Sequence, residues 1–147
     1  MQPPKYIPIL KSKLYRLGRK KDFAAVLGLS LPELKTLTLD KNFKEWSKTQ
    51  KGKKDRIIEE PLPPLALALS KLHAIISLVE TPSWLLSGKK RVKPRDNAEA
   101  HCHNGHMITV DIERFYQSTK REFVFSAFRK FFGHTDDVAS LLADLVT

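Results

Sequence analysis

The sequence contains one cysteine, Cys102, in 147 residues, and it has no Asn-x-Ser/Thr acceptor site. One cysteine cannot form an intramolecular disulfide, so small disulfide-stabilised secreted domains are excluded. No apolar run approaches the ~20 residues that a membrane-spanning helix requires. The first ten residues contain three prolines and lack the apolar core of a signal peptide. These absences predict a soluble, cytoplasmic protein.

Acidic residues are also scarce, with 16 Asp and Glu against 26 Lys and Arg and a net charge of +10. A strongly basic balance is typical of a protein that binds an acidic polymer or an anionic membrane. Glycine and proline are few, at 6 and 9 residues, and 41% of residues are hydrophobic. Collagen-like and low-complexity chains are therefore excluded, and a globular chain of about one domain is predicted.

Apolar periodicity predicts short helices over 9–17 and 23–27, and Ser30 followed by Pro32 and Glu33 predicts the start of a third. Apolar residues at 43, 46, 57 and 58 surround a basic, glycine-containing centre at 50–54. That pattern predicts a β-hairpin with a basic tip, which the prolines at 61, 63 and 64 end. An apolar stripe over 65–79 predicts a core helix.

Further along the chain, 107–110 is an apolar run that predicts a buried strand ending at Asp111. Asp96 or Asn97 is predicted to cap a short helix that reaches His103. Residues Thr119 and Glu122 have capping-box spacing before a helix over 123–132, and residue 135 is predicted to cap the last helix.

The segment 110–116, Val-Asp-Ile-Glu-Arg-Phe-Tyr, is the most informative part of the sequence. A carboxylate at the end of a strand, followed by two adjacent aromatic residues, can hold a divalent metal beside a flat ligand. The spacing also allows a structural interpretation, in which Asp111 caps the next helical turn and Phe115 and Tyr116 belong to the core.

The order of these elements resembles the fingers and first palm segment of a bacterial reverse transcriptase. Asn97-Ala98-Glu99-Ala100-His101 is similar to the Asn-Ala-x-x-His element of retron enzymes, and the likeness extends over about 27–147. The resemblance implies an α+β fold with a helical region at 1–41, fingers at 42–105 and the start of a palm at 106–147. It also implies an RNA-directed DNA polymerase that makes RNA-linked single-stranded DNA in antiphage defence.

The resemblance further implies a role for each matching residue. Asp111 would be the catalytic aspartate and, with the carbonyl of Ile112, a ligand of two Mg²⁺ ions. Incoming deoxynucleoside triphosphate would meet Arg114, Phe115, Tyr116, Arg56 and Lys54, with Tyr116 as the gate against the ribose 2′-hydroxyl and Arg56 on the phosphates. Structured non-coding RNA, acting as template and primer, would meet Lys51, Lys53, Lys89, Lys90, Arg91, Lys93, Arg95, Asn97 and His101. An effector protein is a further implied partner, and no membrane is.

The sequence departs from this family because it contains no Tyr-x-Asp-Asp element before Thr147. One carboxylate cannot hold two dications, so the chain is expected not to polymerise DNA unaided and to require the remainder of a polymerase. A truncated, split or decayed enzyme is expected, with truncation favoured. A non-catalytic basic RNA-binding module remains an alternative, as does a reverse transcriptase of the group II intron or diversity-generating type.

Two other clusters have less support as sites. His101, Cys102, His103 and His106 crowd together, but their spacing matches no common zinc site. Asp136-Asp137 resembles a polymerase aspartate pair, yet it follows Thr135 in what is predicted to be the first turn of a helix, where carboxylates favour the helix dipole.

Overall fold

The computed structural model describes residues 5–39, 42–49, 56–86, 89 and 92–147. Its helices are α1 (Lys20–Leu27), α2 (Leu31–Leu37), α3 (Pro63–Ile76), α4 (Pro94–Glu99), α5 (Phe115–Ser118), α6 (Arg121–Lys130) and α7 (Asp136–Val146), and its strands are β1 (Phe43–Lys48) and β2 (Arg56–Pro61). The predicted α+β class is confirmed, whereas the division into fingers and palm stays a prediction. The predicted site residues Lys51, Lys53, Lys54, Lys90 and Arg91 lie outside the described residues.

The predicted β-hairpin is confirmed. Strands β1 and β2 pair in antiparallel register, with Phe43 opposite Pro61, Trp46 opposite Ile58 and Lys48 opposite Arg56. Strand β2 ends at Pro61, and Pro63 already begins α3, where a proline suits the first helical turn because no intrahelical partner is lost there. Helix α3 therefore follows the hairpin after a single residue.

The predicted start of α2 is also confirmed. The Ser30 hydroxyl accepts a hydrogen bond from the Glu33 amide at 3.4 Å, and the Glu33 carboxylate accepts one from the Ser30 amide at 2.7 Å. This reciprocal capping satisfies two amide groups that have no partner inside the helix. The bonds from Ser30 lower the pKa of Glu33.

One hydrophobic core joins α1, α2, α3, α6 and α7. Helix α7 contributes most to it, with Val138, Ala139, Leu141, Leu142, Ala143 and Leu145 buried. Its largest fully buried partners include Leu14, Phe23, Leu27, Leu34 and Leu65. The core thus contains residues from all three predicted regions, so the N-terminal helices and the last two helices stabilise one another.

His134 is fully buried at the corner between α6 and α7. Its Nδ1 accepts a hydrogen bond from the Leu17 amide at 3.2 Å, and its ring stacks on Phe132 with centroids 5.8 Å apart. Burial lowers the pKa of the imidazole, since the charged form would lose its hydration. The neutral ring therefore connects the N-terminal segment to the α6–α7 corner.

We expect acid to destabilise the fold through His134. The unfolded chain takes up a proton on this side chain below a pH of about 6.5, whereas the folded chain resists protonation. The contribution is therefore complete above that pH and is lost as pH falls through the lowered folded pKa. In urea titrations between pH 7.5 and 5, His134→Asn should weaken the fall in unfolding free energy. The exposed control His103→Asn should preserve it, and equal slopes in both variants would contradict the assignment.

Four local predictions are wrong, each for a physical reason. The predicted helix over 9–17 is only a 3₁₀ turn at Ile9–Lys11, because the Ser12 hydroxyl accepts the Leu14 amide at 3.2 Å and competes with helical bonding. Helix α4 begins at Pro94 rather than after Asp96 or Asn97, since the Asp96 carboxylate reaches back to the Lys93 amide at 2.6 Å.

The other two concern the later part of the chain. Thr119 does not cap α6, because its hydroxyl donates to the Phe115 carbonyl at 2.7 Å. The predicted strand over 107–110 is not formed, and Ile108 and Val110 are 89% and 84% exposed. A strand needs a neighbour for its backbone groups, and the sheet among the described residues contains β1 and β2 alone.

No described helix is long and apolar enough to cross a membrane.

Candidate functional site

A cleft of about 880 Å³ lies between the hairpin and the helices that follow residue 114. Strand β2 forms one wall, and α5 with the ends of α6 and α7 forms the other. The residues that line it are Phe43, Ile57, Ile58, Glu59, Phe115, Tyr116, Thr119, Val124, Val146 and Thr147. The lining combines apolar side chains with polar ones, and Glu59 is its acidic side chain, so the cleft offers both apolar and polar surface to a ligand.

Helix α5 presents two aromatic rings to this cleft. The rings of Phe115 and Tyr116 meet edge to face, with centroids 5.5 Å apart. Tyr116 is 86% exposed and Phe115 is 55% exposed. The interpretation of these residues as core residues is therefore wrong, and both rings are available to a ligand.

The position of α5 is set by unusual local backbone geometry. Arg114, the residue before the helix, has a φ of 51°, a left-handed conformation that is uncommon outside glycine. The Ser118 hydroxyl donates to the Glu113 carbonyl at 2.7 Å and closes the turn from the other end. Left-handed residues of this kind cluster at functional sites, where surrounding contacts hold them in place.

Asp111 lies four residues before α5, in an exposed segment without regular structure. One of its carboxylate oxygens accepts the Ile112 amide at 3.0 Å. The carboxylate is not part of the cleft wall. It does not cap α5 either, since that position belongs to Arg114. Phe115 and Tyr116 therefore line one cleft with residues of the hairpin, whereas Asp111 lies outside the lining of that cleft.

The fit of a metal depends on the number and type of donors around Asp111. A carboxylate and the carbonyl of Ile112 are hard oxygen donors of the kind that Mg²⁺ prefers. Within the described ranges, however, no group of three His, Cys, Asp or Glu side chains is placed to hold a metal ion. The donor type fits Mg²⁺, but the number of donors is too small for a two-ion site.

The basic residues near α4 have partners within the chain. The Lys89 ammonium donates to the Pro82 carbonyl at 3.0 Å, and the Arg95 guanidinium donates to the Glu99 carboxylate at 2.6 Å. The side chain of Lys93 is exposed. The Arg95–Glu99 ion pair is exposed, and such pairs contribute about 0–1 kcal/mol, so a phosphate can replace Glu99 as the partner of Arg95 at little cost.

Asn97 and His101 are both exposed, the first on α4 and the second in the turn that follows it. The His101 ring nitrogen Nδ1 lies 3.3 Å from the Asn104 amide nitrogen. The turn is closed by the Cys102 thiol, which donates to the Glu99 carbonyl at 3.0 Å. Asn97 and His101 do not belong to the core, so the side chains of both residues are accessible to a partner.

Sequence reasoning missed several cleft residues, chiefly Ile57, Ile58, Glu59 and Thr119. Ile57 is 72% exposed although it is a large apolar residue in a strand. Alternation places strand neighbours on opposite faces, so two adjacent isoleucines in a two-stranded hairpin are a signal that one of them faces a ligand or another element.

Comparison with models of known protein families finds no match. Among curated proteins, the chain is similar to "Retron Se72 reverse transcriptase" from Salmonella heidelberg (strain 579083-10), with 30% identity over 131 residues. The match covers 84% of this chain and 34% of the relative. This chain is related to a retron reverse transcriptase. It spans about a third of the length of that relative.

The relationship confirms the resemblance seen in the sequence. It supports the nucleotidyltransferase class for the family, because a reverse transcriptase joins nucleotides into DNA. The aligned region is long enough to include both the hairpin and α5, since it covers most of the chain. The similarity to a retron reverse transcriptase is therefore the basis on which we interpret the cleft.

Proposed function

We propose that this chain forms the fingers and the start of the palm of a retron-type reverse transcriptase. In the complete enzyme, it would help to extend DNA on a structured non-coding RNA and to make RNA-linked single-stranded DNA in antiphage defence. The observation that carries the proposal is that Phe115 and Tyr116 share one cleft with strand β2 of the basic hairpin. Similarity to a retron reverse transcriptase supports nucleotides as the class of ligand for this cleft.

The cleft would hold the base and sugar of an incoming deoxynucleoside triphosphate. The exposed aromatic rings of Phe115 and Tyr116, together with the apolar lining contributed by β2, offer surfaces on which a flat base packs. Tyr116 would stand against the 2′ position of the sugar and exclude a hydroxyl there. The backbone around Arg114 and Phe115 would meet the triphosphate.

The phosphates would also meet the hairpin. Arg56 begins β2 and pairs through its backbone register with Lys48, which places it next to the cleft residue Ile57. A guanidinium suits phosphate because its planar donors bind two oxygens at once. Lys54 is proposed as a second phosphate contact.

Asp111 and the Ile112 carbonyl would provide oxygen ligands for Mg²⁺ together with carboxylates from the rest of the polymerase. When bound, Mg²⁺ would supply Lewis-acid chemistry for nucleotidyl transfer. The exposed segment 107–112 would then become a strand once palm neighbours cover Met107, Ile108 and Val110, which are 70%, 89% and 84% exposed. Burial of this apolar surface would favour assembly.

The non-coding RNA would meet exposed groups away from the nucleotide. Asn97 and His101 are accessible on and after α4, and Lys93 and Arg95 lie at its start. Phosphate contacts from the cations of this region, Lys89, Lys90, Arg91, Lys93 and Arg95, would make RNA affinity depend on salt. The hairpin-tip residues Lys51 and Lys53 would guide the template, and an effector protein is proposed as a further partner in the cytoplasm.

A second candidate is an RNA-binding module without catalysis, which the net charge of +10 favours. Both candidates predict RNA affinity, so binding does not separate them. They differ in the role of Tyr116, because a simple RNA-binding module has no reason to distinguish deoxyribonucleotides from ribonucleotides.

Replacement of Tyr116 tests the proposed function. In a complete retron-type polymerase that contains this chain, Tyr116→Ala should raise incorporation of ribonucleotides relative to deoxyribonucleotides about ten- to a hundredfold, because the ring no longer excludes the 2′-hydroxyl. Competition between a ribonucleotide and its deoxyribonucleotide on one RNA template measures this ratio.

The matched control is Tyr116→Phe, which keeps the ring and removes only the hydroxyl. It should leave the sugar preference close to that of the unmodified enzyme. An unchanged preference in the alanine variant would contradict the gate assignment.

A further inference from the structure

The N-terminal segment carries positive charge that the cleft does not use. Residues 5–21 contain no Asp or Glu, and their cations are Lys5, Lys11, Lys13, Arg16, Arg19, Lys20 and Lys21. A run of one charge sign over this length is either a solvated tail or a binding surface. The structure of residues 5–21 distinguishes a solvated tail from a binding surface.

The segment is attached to the folded core at both ends. The Ile7 amide donates to the Leu78 carbonyl, and the Glu80 amide donates to the Ile7 carbonyl, both at 2.9 Å. Further along, the Arg16 amide donates to the Phe132 carbonyl at 2.8 Å. A segment held in this way has already lost most of its conformational freedom, so its cations would bind a ligand at a smaller entropic cost.

Side chains between these two attachments alternate between core and solvent. Ser12 and Leu14 are buried, whereas Lys11, Lys13 and Arg16 are exposed. None of these three cations forms a salt bridge within the part of the chain that the structure describes, although Arg19 pairs with Asp22 and Lys20 lies 3.8 Å from Asp137. We call Lys11, Lys13 and Arg16 the N-terminal basic surface.

Arg16 has an unusual backbone conformation, and its side chain lies over an aromatic ring. Its φ is 53°, and its guanidinium lies over the Tyr15 ring, 5.3 Å from the centroid. The glycine at 133, with a φ of 68°, leaves room for it, since a Cβ there would lie 3.1 Å from Arg16 Cγ. Stacking on a ring leaves the N–H edge of a guanidinium free to bind phosphate.

We infer that the N-terminal basic surface binds the phosphate backbone of double-stranded RNA, at a place separate from the nucleotide cleft. The three members of this surface are cations, and the Arg16 guanidinium lies over one face of the neighbouring Tyr15 ring, whereas a site for single-stranded RNA stacks bases on open aromatic rings. The local 3₁₀ turn has three residues, which is too short for the amphipathic helix that lies on a membrane. The choice of RNA as the polyanion rests on the proposed function.

Binding to a duplex tests this inference with the full chain. The probe is a fluorescent RNA duplex of about 16 base pairs, titrated by anisotropy from 50 to 200 mM KCl, salt limits of the order used to define counterion release. The test variant combines Lys11→Gln, Lys13→Gln and Arg16→Gln. The control combines Lys35→Gln, Lys44→Gln and Lys120→Gln, three exposed lysines with the same loss of charge.

The test variant should bind at least about tenfold more weakly, and its salt slope should fall by about two to three units, because each lost phosphate contact removes about 0.7–0.9. The control should lose much less of both. If thermal melting shows that the triple variant is unstable, the double variant Lys11→Gln and Lys13→Gln replaces it, because the double variant keeps the Arg16 contacts. Its loss of duplex affinity should lie between that of the control and that expected for the triple variant.

Equal losses in test and control variants would overturn the inference. So would binding of vesicles that contain phosphatidylserine, with the same dependence on the three residues and without RNA binding. Failure of the proposed function gives a different result. In that case a complete enzyme makes no DNA, or its DNA synthesis is unaffected by substitution of Asp111 and Tyr116. The duplex affinity of the chain would still depend on the N-terminal basic surface.

Discussion

Asp111→Asn should abolish DNA synthesis by a complete retron-type polymerase that contains this chain. An amide oxygen is neutral and a much weaker ligand for Mg²⁺ than a carboxylate, so the transition state should lose several kcal/mol of stabilisation. A loss of that size corresponds to about a thousandfold or more in rate. The rate of primer extension on an RNA template, measured with saturating deoxynucleotides, checks this result.

RNA binding separates a catalytic role from a structural one. Asp111 is exposed and its carboxylate bonds only to the neighbouring Ile112 amide in the described structure, so the variant should fold and bind RNA as before. The matched control is Glu113→Gln, which removes an exposed carboxylate two residues away and should retain most of the activity. Normal synthesis by the Asp111→Asn enzyme would refute the assignment of this residue.

Leu142→Ala should strongly destabilise the fold. Leu142 is fully buried on α7, the helix that contributes most residues to the common core. Removal of a buried leucine side chain costs about 2–5 kcal/mol, because transfer energy is lost and a cavity remains. This is a large part of the roughly 5–15 kcal/mol that stabilises a typical domain. Urea unfolding of the chain, followed by circular dichroism, measures the change.

Leu67→Ala is the matched control, since Leu67 lies on α3 but is 60% exposed. The same chemical change there should alter the unfolding free energy by no more than about 0.5 kcal/mol. If the two variants were equally stable, α7 would not be at the centre of the core. A large loss in the Leu142 variant alone would agree with a central place of α7 in the common core.

Local signals in the sequence predicted the hairpin and α2 well. In the hairpin, apolar residues at 43, 46, 57 and 58 on both sides of a polar segment indicate two strands, and in α2 the Ser30 and Glu33 pair satisfies the first amides of the helix. Both depend on residues close together in the chain. The physical information that forms them is therefore present in a short window of sequence.

The errors arose where a side chain had two possible partners. The sequence predicts that Asp96 or Asn97 caps a helix, but the Asp96 carboxylate accepts a hydrogen bond from the earlier Lys93 amide and lies inside the first turn. Thr119 was expected to begin α6, but its hydroxyl closes α5. Short polar side chains can make either type of bond, and the neighbouring proline or aromatic turn decides which one forms.

The site was only partly predictable for a similar reason. Phe115 and Tyr116 were recognised from a motif, and the similarity to a retron reverse transcriptase supports their family context. That they line one cleft with residues of β2 depends on the tertiary structure, which no spacing in the sequence shows. The buried state of His134 also depends on Leu17, which is 117 residues away in the chain.

The sequence by itself determined the basic charge, the hairpin, the capped start of α2 and the likeness to a retron reverse transcriptase. The tertiary structure alone decided that helices from both ends of the chain share one core, that Tyr116 and β2 line one cleft, and that Lys11, Lys13 and Arg16 remain exposed and form no salt bridge among the described residues. The physical reason is the distance along the chain between the residues that interact. Caps and turns depend on neighbours a few residues away, whereas burial and clefts depend on which distant surfaces exclude water together.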